Sequence, residues 1–124
     1  TIRMRQTDAA GVMSFCAIYG ILHDAYEEFL SSRGLPLATI LRDRPYLPPI
    51  VHSEADFHRP LTLGEPVQVR LRLENLGTTS FAISYKVTAH DQPVITAHTA
   101  HVVVDKATQR PLPLPDELRE ILSA

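Results

Sequence analysis

Asp8 is the first residue in this chain able to attack a carbonyl or take a proton from water. It lies in TDAAGV, where Ala9, Ala10 and Gly11 are small enough for the backbone to approach a ligand closely. Gly11 can also take a positive φ. A long helix follows, and the first N–H groups of a helix have no partner within it. A carboxylate beside free N–H donors and a helix dipole suits acyl chemistry, which needs an oxygen nucleophile and donors for the oxyanion. Helix capping is the competing role for an Asp in this place. Six residues separate Asp8 from the expected helix start at Ser14, too far for a simple cap.

Other reactive side chains are weighed in the same way. Cys16 near a helix start resembles an activated thiol. Its nearest His on the same face, His23, is about two turns away, roughly 10 Å, so a buried structural thiol is the better reading. Tyr19, His23 and Tyr26 form a stripe of polar-tipped rings. Tyr26 reads as a core aromatic with its hydroxyl satisfied, while His23 is placed to meet a hydroxyl on a substrate ring. His98 and His101 are an odd number apart and point to opposite faces of a strand. His52 and His58 share a face but lie roughly 20 Å apart if extended. That spacing disfavours a metal, and no HExxH or CxxC pattern is present. His52 and His58 remain candidates for lining a substrate pocket. Arg59, Arg70, Arg72 and Lys86 are candidates for phosphate contacts, against the alternative of an ordinary solvated strand face.

The elements that must position these groups are legible from periodicity. Phe15, Ile18, Tyr19, Leu22, Tyr26, Phe29 and Leu30 recur at three and four, which predicts a helix over about 14–33. Gly34 supplies a left-handed cap and Pro36 a stop. Residues 2–6 read as a short edge strand, and 37–42 as one helical turn. Ile50 to Arg59 reads as extended, ending at Pro60 and the LTLGEP turn. Strict alternation predicts strands over 66–76 and 80–90, joined by Gly77-Thr78-Thr79, with a second tight turn at Asp91-Gln92. Residues 93–104 are apolar or small on both faces and suit a central or interface strand. The tail LPDELREILSA reads as a short helix with Asp116 as N-cap. A strand, a long helix and then four consecutive strands imply an antiparallel sheet wrapped around one central helix, an α+β fold. Its open edge and exposed face predict self-association.

Composition bounds the function. The 124 residues suit a single domain spanning 1–124. A net charge of −2 gives no electrostatic footprint for nucleic acid. The one cysteine allows no intrachain disulfide and fits a reducing cytoplasm. TIRMRQTD has no apolar signal core, and no run approaches the roughly eighteen apolar residues of a membrane span.

TDAAGV, a helix carrying HDAYEEFL, and PIVHSEADFHRPLTLGEPVQV together resemble the hotdog-fold acyl-CoA thioesterases of the 4-hydroxybenzoyl-CoA type, over nearly the whole chain. Within them, the run His23-Asp24-Ala25-Tyr26-Glu27 is most similar to the cyanobacterial 1,4-dihydroxy-2-naphthoyl-CoA hydrolases. The resemblance implies that Asp8 is the catalytic carboxylate, as nucleophile or as base for water. It implies that the backbone N–H near Phe15 holds the thioester oxygen. It also implies an active site at the interface of a homodimer or of a dimer of dimers. Gly11, Ser14, Tyr19, His23, His52 and His58 are then the expected acyl contacts, and Arg59, Arg72 and Lys86 the expected CoA contacts. Ser14 stands where an aromatic is frequent and Ala17 where an Asn is frequent, so both bear on the acyl group rather than the reaction. The expected activity is hydrolysis of an aryl-CoA, foremost 1,4-dihydroxy-2-naphthoyl-CoA, with no cofactor required. The alternatives are a 4-hydroxybenzoyl-CoA or short-chain hydrolase, and a non-catalytic acyl-CoA binding module.

Overall fold

The computed structural model describes residues 1–123. Its organising element is α1, Ala17–Ser32. Ile18, Leu22, Tyr26 and Leu30 repeat at one-turn spacing, and all four are buried. Each such side chain contributes roughly 1.5–3 kcal/mol on burial, so this stripe fixes which way the helix faces. The helix ends as Gly34 dictates. With φ at +88°, Gly34 donates to the Ser31 carbonyl (3.1 Å) and Leu35 donates to the Leu30 carbonyl (3.0 Å). These paired bonds satisfy the last carbonyls, and the buried Leu35 seals them from water.

Helix α2, Leu37–Asp43, leads into β1, Tyr46–Leu47, and then β2, Ile50–Phe57. Strands β3 (Gln68–Leu76), β4 (Ser80–Ala89) and β5 (Gln92–Val102) follow, then β6 (Val104–Asp105) and α3 (Asp116–Ser123). The main sheet has the order β2-β5-β4-β3 and is antiparallel throughout, while β1 and β6 form a small pair of their own. Phe81, Ile83, Tyr85 and Val87 of β4 and Ile95, Ala97, Thr99 and His101 of β5 are buried on the face toward α1. This is the expected α+β hotdog arrangement of sheet around helix. The apolar stretch 93–104 supplies β5, which takes the central of the two places, central or interface, that its two-sided character suits. The edge strand β2 is the opposite case, since all its residues are exposed except the half-buried Ala55. No helix among the described residues is long and apolar enough to cross a membrane.

Several expectations are corrected. Residues 2–6 are no strand: Met4–Gln6 form a short 3-10 turn, held by Gln6 Oε1 accepting from the Arg3 N–H (2.8 Å). Helix α1 starts at Ala17, not near 14, and Cys16 is exposed rather than buried. The β4–β5 turn falls on His90-Asp91, one residue early. Ala89 pairs with Gln92, and the two turn residues take φ of 51° and 61°, the mirror-image turn that suits strand twist. Asp116 is the first residue of α3, and Arg119 N–H reaches back to the Pro115 carbonyl, so the cap position is Pro115. Tyr26 is a core aromatic, but its hydroxyl has no hydrogen-bond partner among the described residues.

Candidate active site

The segment from Thr7 to Met13 turns back on itself as a small hairpin. Thr7 bridges Met13, Asp8 N–H donates to the Val12 carbonyl (2.9 Å), and Gly11 N–H donates to the Asp8 carbonyl (3.0 Å). Gly11 closes it with φ of +80°, a conformation that other residues rarely take. The Asp8 carboxylate is oriented by one bond, from the Ala10 N–H to Oδ1 (2.8 Å). Its second oxygen accepts no bond among the described residues, and the residue is exposed. Asp8 is therefore held by its own turn and does not cap α1.

After this hairpin the chain approaches the helix through Ser14, Phe15 and Cys16. Ser14 N–H is taken by the Gln6 carbonyl (2.7 Å), and Ala17 N–H by the Ser14 carbonyl (3.0 Å). Between them, the amides of Phe15 and Cys16 donate to no acceptor among the described residues. Two adjacent unpaired N–H groups at the positive end of a helix are donors of the kind an oxyanion needs. The Phe15 ring is 73% exposed, so its apolar character, which looks helical in sequence, serves no core of this chain. Cys16 Sγ and Ser14 Oγ are 3.0 Å apart at the same mouth.

Tyr19 and His23 continue one flank of α1 from there. Tyr19 is partly exposed, and His23 Nδ1 lies 3.1 Å from Glu27 Oε1, one turn on. The expected acyl contacts thus divide. Gly11, Ser14, Tyr19 and His23 belong to the hairpin and the helix flank. His52 pairs with Ala100, and His58 Nε2 lies 3.2 Å from Thr96 Oγ1. Both therefore face away from α1, on the outside of the sheet. The expected CoA contacts divide too. Arg59 is engaged with Glu65 (2.7 Å) and the Pro60 carbonyl (2.9 Å). Arg72 and Lys86 lie on the outer sheet face with Arg70, which pairs with Lys86 across β3 and β4. They line a groove of about 540 Å³ with Ser84, Thr96 and His98, and no ion pair engages the three cations among the described residues.

Two charged or polar centres escaped the sequence. Glu65 gathers donors from Arg59 and Thr62, which hold its carboxylate down to about 2; the Arg59 bond is the larger cause. The only signal was an acid inside a turn, six residues after an arginine. His101 is fully buried, stacked on Phe81 (4.6 Å between centroids) and tilted against Tyr26 (4.8 Å). Its Nδ1 must donate to the Pro48 carbonyl (3.1 Å), since a carbonyl only accepts. In the neutral ring Nε2 therefore accepts from the Thr99 hydroxyl (3.0 Å), which in turn accepts from Tyr85 (3.0 Å). Burial pushes the His101 pKa down to about 4. Odd spacing from His98 gave the direction of His101, but its burial depends on β5 being central. No cluster among the described residues could hold a metal ion.

The sequence profile of the thioesterase-like superfamily matches residues 2–122. The chain is 37% identical over 122 residues to a 1,4-dihydroxy-2-naphthoyl-CoA hydrolase of Synechococcus elongatus, covering 98% of this chain and 90% of that one. It is 37% identical over 118 residues to the enzyme of the same name from Nostoc punctiforme, covering 95% and 80%. A crystal structure of a 1,4-dihydroxy-2-naphthoyl-CoA thioesterase from Synechocystis superposes with a TM-score of 0.92 at 28% identity, covering 99% of this chain and 91% of that one.

Proposed function

The chain belongs to the thioesterase-like superfamily and hydrolyses CoA thioesters, and from that premise we propose that its substrate is 1,4-dihydroxy-2-naphthoyl-CoA, released as the free naphthoate for quinone synthesis. Residues 1–124 act as one domain. The observation that carries the catalytic reading is an exposed carboxylate, Asp8, oriented through a single oxygen, in a hairpin that leads straight to two undonated amides. The thioester carbonyl points its oxygen at Phe15 N–H. Asp8 either attacks the carbonyl carbon or takes a proton from the water that does. By the first route the tetrahedral intermediate collapses with loss of CoA thiolate, and water cleaves the resulting mixed anhydride. By the second, water adds directly and the proton passes through Asp8 to the leaving thiolate. Single turnover in oxygen-18 water separates them: water that cleaves the anhydride at the Asp8 carbonyl carbon leaves its label in the Asp8 side chain, whereas direct addition of water places the label in the released acid.

Tyr19 and His23, along the helix flank, face the acyl ring. Arg72 and Lys86, with Arg70 beside them, take the phosphates of CoA. A second copy of the chain completes the site. Ile50, Val51 and Phe57 of the unpaired edge β2 are exposed large hydrophobics, as are Met4, Phe15 and Tyr19 around the hairpin and helix mouth. Monomers seldom leave an unpaired edge and so many apolar side chains in water. The test is thiol release from a panel of acyl-CoAs, wild type against Asp8→Asn. Aryl-CoAs are turned over, and the variant loses at least about a hundredfold in kcat. Full activity in Asp8→Asn sinks the mechanism, and tight binding of acyl-CoA with no release of thiol sinks the enzyme in favour of a sensor.

A further inference from the structure

We propose that Arg59 and Glu65 form a clasp that positions the Asp8 hairpin, and that Arg59 is a positioning residue instead of a CoA contact. This rests on reading Asp8 as the catalytic carboxylate. The hairpin has no regular element of its own to lean on. It hangs from the segment after β2: Met13 N–H donates to the Leu61 carbonyl (2.6 Å), and Val12 bridges Thr62. That segment is itself an irregular turn, and one side chain closes it. Glu65 Oε1 accepts from Arg59 (2.7 Å), while Oε2 accepts from the Thr62 N–H (2.8 Å) and lies 3.3 Å from the Thr62 hydroxyl. Glu65 N–H donates back to the Thr62 carbonyl (3.1 Å). The Arg59 guanidinium spends a second nitrogen on the Pro60 carbonyl (2.9 Å). His90 Nε2 stands 3.8 Å from the same carboxylate, on the β4–β5 turn. The Glu65 side chain is only 13% exposed, so its charge is balanced by these donors more than by water.

The route from clasp to chemistry is short. Glu65 fixes Thr62, Thr62 and Leu61 fix Val12 and Met13, and these set the hairpin that aims Asp8 at the helix mouth. A displacement of about 1 Å in such a group can cost as much as a hundredfold in rate. An arginine already committed to a shielded carboxylate and a carbonyl has little left for a phosphate.

Steady-state kinetics on the whole protein, with the aryl-CoA turned over fastest, tests this. Glu65→Gln and Arg59→Ala each lower kcat about tenfold with KM within about twofold, and the double variant is no slower than either, as expected for a coupled pair. Millimolar guanidinium restores part of the rate to Arg59→Ala and none to Glu65→Gln. An Arg59→Ala variant with raised KM and unchanged kcat overturns the proposal and returns Arg59 to CoA binding. A Glu65→Gln variant with lowered Tm but unchanged kcat per folded protein overturns it in favour of a purely structural turn. Asp8→Asn is run beside them. If it is inactive while both clasp variants turn over normally, the clasp fails and the Asp8 reading stands. If Asp8→Asn turns over normally, both fall.

Discussion

The two ends of α1 are built to opposite specifications. At the C-terminal end Gly34 and Leu35 take up the last carbonyls, and Leu35 is buried over them. At the N-terminal end, among the described residues, Phe15 and Cys16 keep their amides undonated, the Phe15 ring projects outward, and no side chain caps the helix. The same chain therefore closes one end by local sequence and leaves the other open. An open helix end costs stability unless something else fills it. In a hydrolase of CoA thioesters, the occupant we propose for it in the transition state is the substrate's oxygen.

The contrast is broken most severely at Asp8. Asp8→Asn keeps the carbonyl that accepts from Ala10 yet cannot act as nucleophile or base, so kcat falls at least about a hundredfold while Tm holds. Phe15→Pro is next. Proline has no N–H, so it deletes the proposed oxyanion donor and lowers kcat by about a hundredfold, whereas Phe15→Ala keeps the amide and most of the rate. A smaller loss in Phe15→Pro than in Phe15→Ala would mean that the ring matters and the amide does not.

The third test acts on the middle of the helix, which both ends share. His101 lies under Tyr26 and is neutral when folded, with a pKa near 4 against 6.5 when free. The unfolded chain binds this proton first as pH falls. The contribution is thus whole above about pH 6.5 and is lost as pH drops toward 4, by on the order of 2–3 kcal/mol. Urea melts between pH 7 and 4 read it directly, and His101→Gln flattens the slope. Glu65, whose carboxylate is held to about 2, adds a separate loss at lower pH, between its free value of 4.5 and 2. The smallest effect is at the closed end. Gly34→Ala forces a Cβ into φ of +88° and costs about 1 kcal/mol in Tm or urea melts, with kcat per folded protein unchanged.

The closed end was legible and the open end only partly so, for a physical reason. Gly34 and Pro36 act on their immediate neighbours, so their effect can be read along the chain. Alternation likewise gave β3 and β4, because a strand with one buried face shows a period of two. The helix start was misplaced because Phe15 fits the helical period while facing outward; periodicity registers apolar character, not what covers it. That error carried Cys16 into the core with it. The turn at 4–6 depends on a single Gln6 contact that no period records. Glu65 and Arg59 were visible as charges, but their pairing and the hairpin they support form only when the turn after β2 meets residues 12–13. His52 and His58 share a face as expected, and it is the outer face of the sheet, which only the pairing with β5 reveals.

The Tyr26 hydroxyl is a phenol oxygen stranded in a dehydrated interior, without a donor or acceptor among the described residues. Such an orphan weakens a fold by about 1–3 kcal/mol. A bare benzyl ring at that point, in Tyr26→Phe, is expected to make the fold sturdier, read as a raised Tm.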